Sequence, residues 1–246
     1  MLNSSKARAD YVKTATRAKP ELRAGVGAFM GTVYAWMAAG LALSALVAYQ
    51  CSQSVEFMEA FNGGSLGWAL LTLPFLLIFL QPSPEGRGAW IKGTVWYLLL
   101  TGMMGTWMTG VAFQATQSAA YGSAVLEALG VTVGMFAGMS LTGWVTRKDL
   151  SGLGYFLIAG LWGLVAVGVL NIFVLQSASV HIWYHVGAVV IFAGLTAYDT
   201  QHIKGIYLKH GGSHGLAVWG AFQLYLDFIN IFLSLLSLMG GSSSSD

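Results

Sequence analysis

The sequence predicts an all-α membrane protein, a seven-transmembrane-helix bundle with the last helix central. Three observations lead there. First, 56% of the residues are hydrophobic and only 9% are charged, with a mean hydropathy of +0.66. A soluble domain carries about 25% charge, which it needs to cover a wetted surface. Second, seven apolar segments follow one another, most of them near the ~20 residues that cross a bilayer. Third, if all seven cross, the 12 Lys and Arg of the chain fall on a single side.

Taken in order, residues 1–24 are polar and basic, with Lys6, Arg8, Lys13, Arg17, Lys19 and Arg23 against Asp10 and Glu21. They predict a cytoplasmic tail that either forms a surface helix or stays mobile. The apolar segments lie at 26–49, 65–81, 94–114, 122–144, 153–174, 182–203 and 217–239, within a transmembrane domain spanning 25–239. The second is short and contains Pro74. Backbone groups surrounded by lipid must be satisfied within their own segment, so each segment is assigned as a helix. Residues 240–246 form a polar tail. The remaining cations, Arg87 and Lys92, Arg147 and Lys148, and Lys204 and Lys209, occupy alternate connections. The positive-inside rule then sets the N-terminus in the cytoplasm and the C-terminus outside. Cys51 is the only cysteine, so no intrachain disulfide forms. A formal charge of +2 gives no reason to expect a nucleic-acid partner. The expected surroundings are the lipid bilayer.

Glycine is abundant, at 32 residues. Gly27 with Gly31, and Gly134 with Gly138, put small residues on one helical face and predict close helix packing. Trp36, Trp107 and Trp162 lie deep within their segments and are expected to pack inside the bundle.

The seventh segment carries Gln223, Asp227, Asn230, Ser234 and Ser237. Steps of four and three residues place all five on one helical face. Lipid penalises such a face, which therefore points inward. Hydrogen bonding between helices accounts for Gln, Asn and Ser; it accounts for Asp227 only if that acid is neutral or paired. The sixth segment holds one acid, Asp199. It precedes Lys204 by five residues, about 7.5 Å along a helix, and Asp227 follows Trp219 by eight, about 12 Å. Both acids lie in the cytoplasmic half of their segments. They are expected to meet and to share a proton, because two carboxylates in contact do not both ionise cheaply. Such a pair is a pH switch joining the last two helices.

Other candidates are weaker. Glu127, near the outer end of the fourth segment, either lines an outer vestibule that attracts cations or reaches headgroup water. His181 and His185 are four apart, as are His210 and His214, but two histidines are too few for a zinc site of ordinary composition. His202 lies one turn from Asp199. Calcium takes six to eight oxygen ligands, so Asp199 and Asp227 with Gln223, Asn230 and carbonyls offer only a weak, transient site. No tightly bound cofactor is expected.

These residues resemble the Bax-inhibitor family, the transmembrane Bax inhibitor motif proteins. The resemblance is strongest at Ala197-Tyr-Asp-Thr-Gln201 followed by Ile203-Lys204, and at Leu224-Tyr-Leu-Asp-Phe-Ile-Asn-Ile-Phe232. Val125-Leu-Glu-Ala128, Lys148-Asp-Leu150 and Asn171-Ile-Phe173 support it. The tail leading into Val33-Tyr-Ala-Trp-Met37 is similar to bacterial members and implies an inner-membrane location. The resemblance implies a pH-sensitive calcium leak in which two aspartates of the sixth and seventh helices, Asp199 and Asp227 here, sense pH and gate. Calcium as the permeant ion rests on the resemblance alone. Two departures stand out. Some members carry an arginine on the second helix that locks the acid pair, whereas no Lys or Arg lies between Arg23 and Arg87 here. Many members also end in a basic tail, whereas this chain ends Gly-Gly-Ser-Ser-Ser-Ser-Asp.

The main alternative is a non-conducting regulator that binds other membrane proteins and uses the acid pair as a conformational sensor. An intramembrane aspartyl protease shares the Tyr198-Asp199 pair. It needs a Gly-x-Gly before its second acid, where this chain has Leu224, Tyr225 and Leu226, and a late proline, where this chain has none after Pro84. The expectation is therefore no enzymatic activity. A proton-coupled transporter is compatible with an acid pair, but no substrate site is visible.

Overall fold

The computed structural model describes residues 20–240 except 63, 85 and 87. The tail residues 1–19 and 241–246, and Arg87, lie outside the described residues. Among those described there are helices and short connections and no strand. The helices are α1 Pro20–Ser52, α2 Val55–Asn62, α3 Ser65–Phe79, α4 Ala89–Trp107, α5 Thr109–Gln117, α6 Ala119–Val145, α7 Ser151–Leu170, α8 Ala178–His210 and α9 His214–Gly240.

Five helices are long and apolar enough to cross a membrane: α1, α6, α7 with the π-turn that continues it to Leu175, α8 and α9. They correspond to five of the seven expected spans. The other two differ for physical reasons. Helix α3 has 15 residues, about 22 Å at 1.5 Å per residue, against a hydrocarbon core of about 30 Å. The third expected span is broken at Met108, whose N–H turns back to the carbonyls of Met104 and Gly105. Its α4 part is diluted in apolar character by Lys92, Trp90, Tyr97 and its threonines. The short α2 was not anticipated from sequence.

Several boundaries also move. Among the described residues the first helix runs from Pro20, so residues 20–24 of the basic segment are helical. The connection expected to carry Lys204, Lys209 and His210 is helical as well. Helix α8 runs on to His210, and only residues 211–213 separate it from α9. Helix α7 ends in the π-turn Asn171–Leu175. There Asn171 Oδ1 accepts from Ser177 N at 3.0 Å, and Gln176 takes a left-handed φ of 47°.

The helices form two compact units. One contains residues up to Phe29, Ala124–Gly211 and the chain from Leu226 onward. Its apolar core joins Leu157, Phe192, Leu195 and Ile231, with Met135, Met139 and Leu235 packed against them. The other contains Met30–Ser123 and Gly212–Tyr225. There Trp96 meets Phe222 edge-on at 4.8 Å between ring centroids, and Tyr97 meets Tyr225 at 6.0 Å.

Of the five candidate spans α9 is the most enclosed, 56% of its apolar window being buried against 6% for α7. The close approaches between helices are not where the paired glycines suggested. A Cβ on Gly27, Gly31, Gly134 or Gly138 would meet nothing within 4 Å. The contacts lie instead at Gly143, where a Cβ would strike the carbonyl of Ala197, and at Gly105, where it would lie 2.6 Å from Ser44 O. Trp162 is 63% exposed and is not a packing residue of the interior.

Candidate functional site

Helix α8 presents Thr196, Asp199, Thr200 and Ile203 on one face, at helical steps of three and four. All four are buried. A glycine makes this possible. Gly143 of α6 has no side chain to hold off the α8 backbone at Ala197, so the two helices touch two residues before Asp199. Ser140, one turn earlier on α6, then reaches Thr200 through a hydroxyl–hydroxyl bond of 3.0 Å.

The end of α6 is tied to α8 by two further side chains. Gln201 is 4% exposed. Its Nε2 donates to the carbonyls of Lys148 at 2.8 Å and Thr146 at 3.2 Å, and its Oε1 accepts from Leu150 N at 2.9 Å. Lys204 Nζ donates to Trp144 O at 2.8 Å and lies 5.0 Å from the centre of the Trp144 ring. Helix C-termini leave carbonyls without intrahelical partners. Here Gln201 and Lys204 supply the donors. Asp149 Oδ1 accepts from Ser151 N, at the first residue of α7, at 2.9 Å. The Lys148-Asp-Leu150 and Ala197–Gln201 motifs are thus two halves of one clamp.

Asp227 of α9 completes the site. It is 3% exposed and Asp199 9%. Both lie in the same compact unit. Their carboxyl groups lie within hydrogen-bonding reach of one another. Two carboxylates are acceptors only, so such a bond requires a proton on one of them. Thr196 lies beside Asp227, and its hydroxyl donates to Phe192 O at 2.9 Å. Asp227 Oδ2 is buried without a conventional donor. Phe136 of α6 meets Phe228, the residue after Asp227, edge-on at 5.6 Å.

The other sequence candidates separate. On α9, Ser234 is buried, while Gln223, Asn230 and Ser237 are half-buried. Asn230 Nδ2 donates to Leu226 O of its own helix at 2.7 Å. Glu127 is exposed on α6 between exposed Leu126 and Leu129. His202 is exposed and its ring stacks on Tyr198 at 5.4 Å. His210 ends α8 and His214 begins α9, so their spacing is not that of one helical face. Among the described residues no three His, Cys, Asp or Glu cluster as metal ligands do.

Sequence reasoning missed Gln201, Lys204, Thr196 and the Ser140–Thr200 bond. The one signal available was that Thr196, Asp199, Thr200 and Ile203 share a face. The partners of that face, on α6 and in the connection after it, leave no periodic trace.

Comparisons with known proteins fit this picture. The family profile described as "Inhibitor of apoptosis-promoting Bax1" matches residues 26–244. An uncharacterized protein of Deinococcus radiodurans is 38% identical over 218 residues, covering 87% of this chain and 90% of its own. The inner membrane protein YbhL of Escherichia coli K12 is 34% identical over 225 residues, covering 89% of this chain and 93% of its own. An uncharacterized protein of Caulobacter vibrioides is 34% identical over 247 residues, covering 93% and 94%. The chain is a multi-pass membrane protein belonging to the Bax inhibitor family.

Proposed function

We propose that the protein is a pH-sensitive cation leak pathway, with calcium as the permeant ion and the Asp199–Asp227 pair as its gate. The observation that carries this reading is the burial of the two carboxyl groups beside one another; a hydrogen bond between them needs one shared proton. While the proton is shared, α8 and α9 are held together and the path is shut. Loss of the proton to water leaves two like charges in a poorly solvated place. Their repulsion separates the two helices. The freed carboxylates attract cations, which pass along the face bearing Gln223, Asn230 and Ser234. Calcium touches the two aspartates weakly in transit. Glu127, exposed near the opposite end of its span, collects cations at the outer mouth. The protein is not an enzyme in this reading. It lies in the inner membrane, as the name of the E. coli relative says of that protein, with its N-terminus in the cytoplasm and its C-terminus outside. In place of a second-helix arginine latch, the Gln201 and Lys204 clamp fixes α8.

One observation favours a second reading, a non-conducting regulator of other membrane proteins. Asn230 spends a donor on its own helix, which leaves the α9 face fewer groups to replace a cation's water. Flux decides between them. Purified protein in liposomes, loaded with a calcium reporter, is assayed across pH as wild type, Asp199→Asn and Asp227→Asn. The leak reading expects wild-type flux that rises as the proton leaves, and no pH dependence in either variant. Absence of wild-type flux at every pH supports the regulator.

A further inference from the structure

We propose that His181 and His185 form a chelating site for a divalent transition-metal ion, with copper(II) preferred over zinc(II). The site is separate from the acid pair and lies in the first turns of α8. The two residues are one helical turn apart, and their Nε2 atoms converge to 3.2 Å. Two imidazole nitrogens at the usual 2.0–2.1 Å from one metal ion are roughly 2.9 Å apart at a right angle and about 3.3 Å apart at a tetrahedral angle. The observed separation falls between these values.

The pair makes poor use of itself without an ion. For the two Nε2 atoms to hydrogen-bond, one must carry a proton, so only one lone pair is engaged. A metal ion engages both. His181 is exposed at the start of α8, so among the described residues no protein group blocks the remaining coordination positions. The helix end is also held in place beforehand. Ser177 caps it, its Oγ accepting from Val180 N at 3.4 Å, and His181 N donates to Ser177 O at 3.0 Å. The Tyr184 ring stands edge-on to His185 at 5.0 Å. Two protein ligands, with water completing the shell, make an exchangeable site and not a closed structural one. Nitrogen donors follow the order in which copper(II) exceeds nickel(II) and zinc(II), and they do not suit calcium.

The test uses the full chain in detergent, stripped of metal, titrated calorimetrically with copper(II) and with zinc(II). Paramagnetic resonance reads the ligands of bound copper. The expected result is one ion per chain, copper tighter than zinc, with nitrogen coupling in the copper spectrum and no displacement by excess calcium. His181→Ala, at an exposed position, weakens binding on the order of tenfold or more, as does His185→Gln. The double variant His210→Ala/His214→Ala, whose residues sit on different helices, leaves binding unchanged. Undiminished affinity in His181→Ala overturns the proposal. So does copper bound without nitrogen coupling, or no binding by the wild type.

Discussion

Two buried polar clusters on α9, two residues apart in sequence, solve the same problem in opposite ways. In one compact unit Tyr225 Oη lies 2.7 Å from Ser44 Oγ, which donates in turn to Thr101 O at 2.7 Å and Gly40 O at 3.0 Å. Tyr97 donates to Trp36 O at 3.0 Å. Every group here is neutral at ordinary pH and finds a partner. In the other unit Asp227 faces Asp199 and keeps an oxygen without a conventional donor. Each cluster adjoins a glycine that admits a neighbouring helix, Gly105 in the first and Gly143 in the second. The packing device is shared and the chemistry is not. Neutral hydroxyls fix a structure at any pH, whereas an acid pair fixes it only while it holds a proton.

The largest effect breaks the shared feature. Gly143→Val and Gly105→Val each drive a side chain into backbone that has nowhere to go. Each is expected to destabilise the protein by about 3 kcal/mol or more, read as loss of folded protein in thermal unfolding in detergent. Next comes the contrast itself. If the pair shares a proton as proposed, the folded wild type holds a proton that the unfolded chain releases. Its stability is therefore present at low pH and declines as pH rises, at up to about 1.4 kcal/mol per pH unit for one proton. Asp199→Asn and Asp227→Asn remove that slope, and Tyr225→Phe keeps it. Melting curves at several pH values check all three. Ser44→Ala strands Tyr225 Oη and costs about 2 kcal/mol, equally at every pH. The smallest effect is expected for Gln201→Ala. Water can replace part of the clamp after α6, so the loss is about 1 kcal/mol, with faster amide exchange at Leu150 as its signature.

The acid pair was legible because charge is rare in this chain. One acid in each of two adjacent apolar segments, at similar depth, is a strong signal when the alternative is lipid. The polar face of α9 was legible from its steps of three and four. The hydroxyl cluster was not, because Ser44, Thr101 and Tyr225 are common in membrane helices and their meeting depends on which faces pack. The paired glycines misled for the same reason: spacing shows that a backbone can approach, not that one does. Helix ends were the least legible. Lys204 and Lys209 look like a connection, yet Lys204 is a helical residue that caps a neighbouring helix. Similarly, Met108 breaks a run whose composition gives no turn signal.

The central claim is that Asp199 and Asp227 hold one proton between them. Infrared spectroscopy of the purified protein at neutral pH measures this directly through the carbonyl stretch of a protonated carboxyl. The account predicts one such carboxyl in excess of the Asn variants, absent from both Asp199→Asn and Asp227→Asn and lost from the wild type on raising pH. A wild-type spectrum at neutral pH that matches both variants, with the two acids ionised independently, contradicts it.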